Sequence, residues 1–174
     1  MILDCPKCER QNLVSATHGS SRCPSCRGLF VPQTQLLAML VSDDESAGEA
    51  RDTKHDEIGA RCPQDHSIMA RAKISLVEGG SFYLERCGSC RGVWFDAGEW
   101  STLASSHLLE HLDEFWSVEW RKQEREADDR AAYENRMKKA FGIELFYQLR
   151  SVASVLRGHP RRSQALAFIR EESE

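Results

Sequence analysis

A chain of 174 residues with 41% hydrophobic and 29% charged side chains is too apolar to be wholly disordered, and it has no run of about 18 apolar residues to form a membrane span. The net charge of −4 is unevenly spread: residues 42–60 hold seven acids against two bases, net −5, so the remainder sums to +1. That excludes a broad basic field of the kind that drives nonspecific nucleic-acid binding.

Residues 1–10 contain no apolar run and read as lacking an export signal. They hold a metal-type motif instead, Cys5-Pro6-Lys7-Cys8, which is followed after fourteen residues by Cys23-Pro24-Ser25-Cys26. A Cys-x-x-Cys turn presents two thiolates from one tight loop, and two such turns joined by a hairpin complete a tetrahedral zinc site. Proline after the first cysteine pre-sets each turn, and Gly28 allows a close backbone approach. Seven cysteines is an odd number. Set mostly in CxxC pairs behind no export signal, they fit metal thiolates in a reducing cytoplasm better than a disulfide framework.

Residues 33–41 are apolar enough for a short helix. Residues 42–60 are acidic, contain Gly and Ser, and have little to bury, so they read as a flexible linker. A second cluster follows. Cys87-Gly88-Ser89-Cys90 is a good turn, but its partner Cys62-Pro63-Gln64-Asp65-His66 has one cysteine only. By register Asp65 stands in place of the missing thiol; by ligand chemistry His66 is the better zinc binder. The register slightly favours Asp65, and both remain candidates. Between the turns, Ile74-Ser75-Leu76-Val77 and Ser81-Phe82-Tyr83-Leu84-Glu85 flank Gly79-Gly80, a hairpin signature.

Asp96-Ala97-Gly98-Glu99 resembles a capping box and predicts a helix start. Residues from Trp100 to Trp116 recur at helical spacing, with Ser105-Ser106 as an interruption. Residues 121–139 are charged helix formers and predict an exposed helix ended by Gly142. Leu145, Phe146, Leu149, Val152, Ala153 and Leu156 then share one helical face. Gly158-His159-Pro160 is a stop, and residues 163–171 predict a last short helix. Arg157, His159, Arg161 and Arg162 make a basic turn between these two helices.

An internal repeat links the clusters. Ser25-Cys26-Arg27-Gly28-Leu29-Phe30 matches Ser89-Cys90-Arg91-Gly92-Val93-Trp94, which indicates two copies of one unit. The second copy, Cys62-Pro63-x-Asp65 followed by Cys87-x-x-Cys90-Arg91-Gly92-Val93-Trp94-Phe95-Asp96-Ala97-Gly98-Glu99-Trp100, resembles the TFIIB-type zinc-ribbon domain of bacterial proteins. That family has the pattern CPxC, a hairpin, then CxxCxGxWxDxGEL. This chain departs from it at Asp65 for Cys and Trp100 for Leu; residues 5–31 match more loosely and lack the D-x-G-E tail. The resemblance implies a zinc-binding module and says nothing of residues 121–174.

The expected architecture is small α+β: two zinc ribbons, then a long helix and a C-terminal helical hairpin. Its segments are a ribbon with a short helix (1–41), the acidic linker (42–60), the TFIIB-type ribbon (61–104) and a helical region (105–174). Two zinc ions are expected, on Cys5, Cys8, Cys23 and Cys26, and on Cys62, Cys87 and Cys90 with Asp65 or His66. No catalytic constellation accompanies them. The expected function is a non-enzymatic zinc-binding adaptor with a protein partner. The alternatives are a nucleic-acid-binding, transcription-associated factor, and a zinc-thiolate redox sensor or zinc enzyme. Peripheral membrane contact or self-association through residues 143–170 is a minor further partner class.

Overall fold

The computed structural model describes residues 2–8, 11–40, 50–77 and 79–173. They divide into two compact units, Met1–Glu124 and Arg125–Glu174.

In the first unit, among the described residues, six strands form one antiparallel sheet: β1 (Val14–Ser15), β2 (Ser21–Arg22), β3 (Leu29–Val31), β4 (Ala70–Ser75), β5 (Ser81–Arg86) and β6 (Val93–Phe95). Their order across the sheet is β1-β2-β3-β6-β5-β4. The first ribbon supplies β1 to β3 and the second supplies β4 to β6. The junction is β3 against β6, where Leu29 faces Phe95, Phe30 faces Trp94 and Val31 faces Val93. The two copies of the repeat therefore pair with each other through the aliphatic–aromatic tail that follows each knuckle. The expected hairpin of the second ribbon forms with Ile74 opposite Phe82, and its turn uses Gly79 and Gly80 at positive φ.

Strand alternation sends side chains to opposite faces. Leu29, Val31, Val93 and Phe95 join Ala72, Ile74, Phe82 and Leu84 in one cluster. It is covered by Leu36 and Met39 of α1 (Gln33–Leu40) and by Trp100 and Leu103 of α2 (Glu99–Ser105). Phe30 and Trp94 point the other way, into a cluster with Cys5, Cys23, Cys62, Cys87 and Met69. Trp94 and Trp100 are thus both core residues.

The interlock at the junction is reciprocal. A Cβ on Gly28 would lie 2.2 Å from Cζ2 of Trp94, and one on Gly92 would lie 2.5 Å from Cζ of Phe30. The glycine after each knuckle leaves room for the aromatic of the other ribbon.

The segment before the second ribbon departs from the flexible linker that its composition suggests. Residues 42–49 lie outside the described residues, but 50–60 are tied down. The Asp52 N–H donates to the carbonyl of Ala97 at 3.0 Å. Arg51 reaches Asp56 at 2.8 Å, and its guanidinium lies over the Phe82 ring. Gly98, at φ +80, packs so closely on Ala50 and Arg51 that a Cβ would meet their backbone at 2.6 Å. The stretch is held to the ribbon by backbone groups and the Arg51 guanidinium rather than by its acids.

Helix α2 begins at Glu99 rather than Asp96. Half of the expected capping box forms, with the Asp96 N–H donating to Glu99 Oε2 at 2.8 Å, while the Asp96 side chain turns inward and caps nothing. Ser105-Ser106 does end the helix. The chain then runs through a short 3-10 turn, Leu109–His111, before α3 (Val118–Phe141). Phe115 is fully buried; the indoles of Trp116 and Trp120 donate to the carbonyls of Ala70 and Lys73, each at 3.0 Å. These bonds occupy acceptors on the edge strand β4, which would otherwise be open to further pairing.

The second unit consists of the remainder of α3, then α4 (Ile143–Leu156) and α5 (Arg162–Glu171). Phe146 is the buried residue of α4, with the ammonium of Lys138 5.3 Å from its ring; α3 and α5 bury none.

Candidate metal centres

Three of the four knuckles share one described turn geometry. The N–H of the first cysteine donates to the carbonyl five residues on: Cys23 to Gly28, Cys62 to Ser67 and Cys87 to Gly92, at 2.8 to 2.9 Å. The N–H four residues on returns to the first cysteine's carbonyl, from Arg27, His66 and Arg91. That fourth residue is left-handed in each case, with φ of 63°, 60° and 59°. The turn frees backbone N–H groups to face sulfur: Cys8 to Cys5, Cys26 to Cys23, Gln64 to Cys62, and Ser89 and Cys90 to Cys87, at 3.3 to 3.5 Å.

Cys5, Cys8, Cys23 and Cys26 bring their sulfurs within 4.8 Å of one another. The Sγ atoms of Cys5 and Cys26 are 3.6 Å apart. Tetrahedral zinc with bonds of about 2.3 Å places sulfurs about 3.8 Å from each other, whereas a disulfide needs about 2.05 Å. The set fits zinc and not a crosslink.

At the second centre the group is Cys62, Asp65, Cys87 and Cys90, again within 4.8 Å, with Cys62 and Cys90 sulfurs 3.4 Å apart. Asp65 stands where Cys26 and Cys90 stand in their turns, third after the leading cysteine. One carboxylate oxygen is fixed by Ser67, whose N–H and Oγ–H donate to Oδ1 at 3.0 and 2.6 Å. The other, Oδ2, faces the Cys87 sulfur at 3.3 Å. These donors, Ser67 foremost, hold the Asp65 carboxyl well below the usual carboxylate range, so it stands ready as an anionic ligand. His66 occupies the left-handed position that Arg27 and Arg91 fill elsewhere, and its side chain is exposed. The structure gathers Asp65 with the three thiols and leaves His66 out of the group.

Without a cation four of the thiols resist ionisation. The hydrogen bond with Cys5, then burial, pushes Cys26 up; burial does the same for Cys8, Cys62 and Cys90. Cys87 is also burdened by burial, but donors from Ser67 and the Cys90 and Ser89 N–H groups bring it down. A dication supplies the missing compensation and, by joining two knuckles, crosslinks each ribbon. Two Cys-rich clusters thus suit two zinc sites.

The role of Lys7, inside the first knuckle, is set by partners distant in the chain. Its ammonium, fully buried, reaches Glu85 Oε1 at 3.0 Å and Asp96 Oδ2 at 3.3 Å, and donates to the carbonyls of His55 and Ile58. Arg71 also meets Glu85 at 3.3 Å, and the Trp94 indole donates to Asp96 Oδ1 at 2.7 Å. Ribbon 1, the 50–60 strap, ribbon 2 and α2 meet at this one buried ionic knot. Three bases (Lys7, Arg51, Arg71) face four acids (Asp56, Glu85, Asp96, Glu99), so one proton is needed for balance. Burial, with Asp96 beside it, raises Glu99 well above the ordinary 4.5, and burial pushes Glu85 up to about 7. Both shifts favour a neutral acid within the knot. No spacing rule exposes such a knot; a lysine between two zinc ligands reads as a solvated turn.

The fold of the ribbons and the two Cys-rich centres support a zinc-binding protein. Residues 61–106 match the family model described as transcription factor zinc-finger, the TFIIB-type zinc ribbon, and the cluster from Cys5 to Cys26 is consistent with a looser copy. No curated protein and no solved structure matches the chain. Among the described residues no helix is long and apolar enough to cross a membrane.

Proposed function

We propose that the protein is a non-enzymatic adaptor: the paired ribbons form a zinc-held platform for a protein partner, and the helical unit is a docking region. The supporting observation is the shared sheet. Because β3 pairs with β6, zinc at either centre braces one continuous surface rather than two loose fingers. Each centre also has four ligands from the chain itself, the arrangement of structural zinc; catalytic zinc keeps a position for water. The compartment that suits reduced thiolates is the cytoplasm.

Affinity capture on the zinc-loaded full chain tests this. The recovered partner is expected to be lost with Cys23→Ser/Cys26→Ser, and reduced by truncation after Phe141. Identical recovery on all three chains would sink the adaptor reading.

A second reading, nucleic-acid binding, draws on the family description. A gel-shift series from low to high salt separates the two, since phosphate contacts weaken steeply as salt rises; no shift at low salt excludes it.

A further inference from the structure

The second unit poses a physical problem. It presents Ile143, Leu145, Leu149, Val152, Val155, Leu166, Phe168 and Ile169 as exposed large hydrophobics, and Phe146 is the one buried residue in its helices α4 and α5. Eight large apolar side chains left exposed within residues 143–169 are more than scattered singles and mark an interaction site.

The pattern is two amphipathic faces. On α4, Leu145, Leu149, Val152 and Leu156 recur at helical spacing and form one stripe, with Arg150 and Arg157 on its flank. On α5, Ala165, Leu166 and Ile169 share a face, with Arg162 at its start. Between them lies the basic turn of Arg157, His159, Arg161 and Arg162, all exposed or nearly so.

Charge then selects the occupant. From Ile143 to Glu171 the anchor holds five bases (Arg150, Arg157, Arg161, Arg162, Arg170) against two acids at its two ends (Glu144, Glu171), net +3, with no acid in residues 145–170. A second copy would bring the same basic turn to the interface and repel. Nucleic acid would satisfy the charge but leave the leucine and valine stripe in water. An anionic bilayer surface satisfies both: the apolar faces enter the headgroup–acyl boundary while the arginines stay at the phosphates.

We infer that α4, the 157–162 turn and α5 form an interfacial anchor for anionic phospholipid membranes. This names the partner class of the docking region and rests on the adaptor reading, which still stands if the anchor fails but capture on the ribbons holds. The anchor lies on the surface and does not span the bilayer, in keeping with the 14- and 10-residue lengths of α4 and α5.

The test is co-sedimentation of the zinc-loaded full chain with vesicles. One set is equimolar phosphatidylcholine and phosphatidylglycerol; the other is phosphatidylcholine alone. The anchor predicts binding to the first set, loss at about 0.5 M salt as screening shortens the field, and little binding to the second. Arg157→Gln/Arg161→Gln/Arg162→Gln should weaken binding about a hundredfold. Leu149→Ser/Ile169→Ser should abolish insertion. Circular dichroism on both variants should show unchanged helix content, since the altered side chains are exposed. Failure of the wild-type chain to sediment with anionic vesicles at low salt overturns the inference. So does a mass on light scattering that doubles and returns to monomer in Leu149→Ser/Ile169→Ser without vesicle binding, or binding that ignores the three arginines.

Discussion

Replacing Gly28 with Ala adds one methyl group at the point where the two ribbons interlock. Gly28 is not at positive φ, so alanine meets no backbone penalty there and the effect is steric. The new Cβ would sit 2.2 Å from Cζ2 of Trp94 and 2.9 Å from Cε2 and Cη2. Carbon atoms rest about 3.5 Å or more apart, so the ring or the strand must retreat by more than about 1 Å. Trp94 is fully buried and its indole is fixed to Asp96 at 2.7 Å, so the ring has no free direction. Overpacking of this kind costs about 1–3 kcal/mol, and the pinned ring argues for the upper end. With a urea slope of about 2 kcal/mol per M, the midpoint of unfolding should fall by about 1–1.5 M. Trp94→Phe removes the outer ring carbons Cζ2 and Cη2, the nearest of them included. The double variant should therefore be more stable than the sum of the single effects implies, by about 1–3 kcal/mol. Urea unfolding followed by circular dichroism measures all four corners of the cycle. A Gly28→Ala loss below about 0.5 kcal/mol, or strict additivity with Trp94→Phe, would refute the reciprocal interlock.

Other consequences are more local. Lys7→Met leaves Glu85 and Asp96 buried without their ammonium, and breaking a buried ion pair in this way costs about 3–5 kcal/mol; an unfolding midpoint equal to wild type would show that the knot is not structural. Glu99 is raised in the folded state, so its contribution to stability is fully present below the ordinary value of 4.5 and is lost as pH rises through the folded value. Glu99→Gln mimics the protonated form. It should flatten the fall in stability from about pH 5 upward in zinc-saturated buffer; an unchanged slope would place the proton elsewhere. Chelation should unfold the ribbon unit while leaving the helical signal of residues 125–174 largely in place, as judged by near- and far-ultraviolet circular dichroism.

Much of the metal chemistry was legible in the chain because ligand spacing is a local property. Cys5, Cys8, Cys23 and Cys26 announce themselves by turn geometry alone, and the hairpin around Gly79-Gly80 and the helix ends at Ser105 and Gly142 follow from breaker residues. The choice between Asp65 and His66 was not legible from ligand preference, which favours histidine. The turn brings Asp65 to the thiols, while the next position is left-handed and exposed at His66 as at Arg27 and Arg91. The union of the ribbons in one sheet is a long-range pairing; the repeat showed two copies but not that Phe30 would face Trp94. Residues 50–60 misled for a related reason: acidic composition reports solubility in isolation, and the partners Lys7, Arg71 and Ala97 lie far away in sequence.

The most direct measurement of the central claim is zinc per chain, read by native mass spectrometry on the reduced full-length protein and on two single variants. Two ions are expected in the wild type and in His66→Ala, with the second ion lost or greatly weakened in Asp65→Ala. One ion or none in the wild type would contradict the account of two ribbon centres, and loss of the second ion in His66→Ala rather than Asp65→Ala would contradict the ligand assignment.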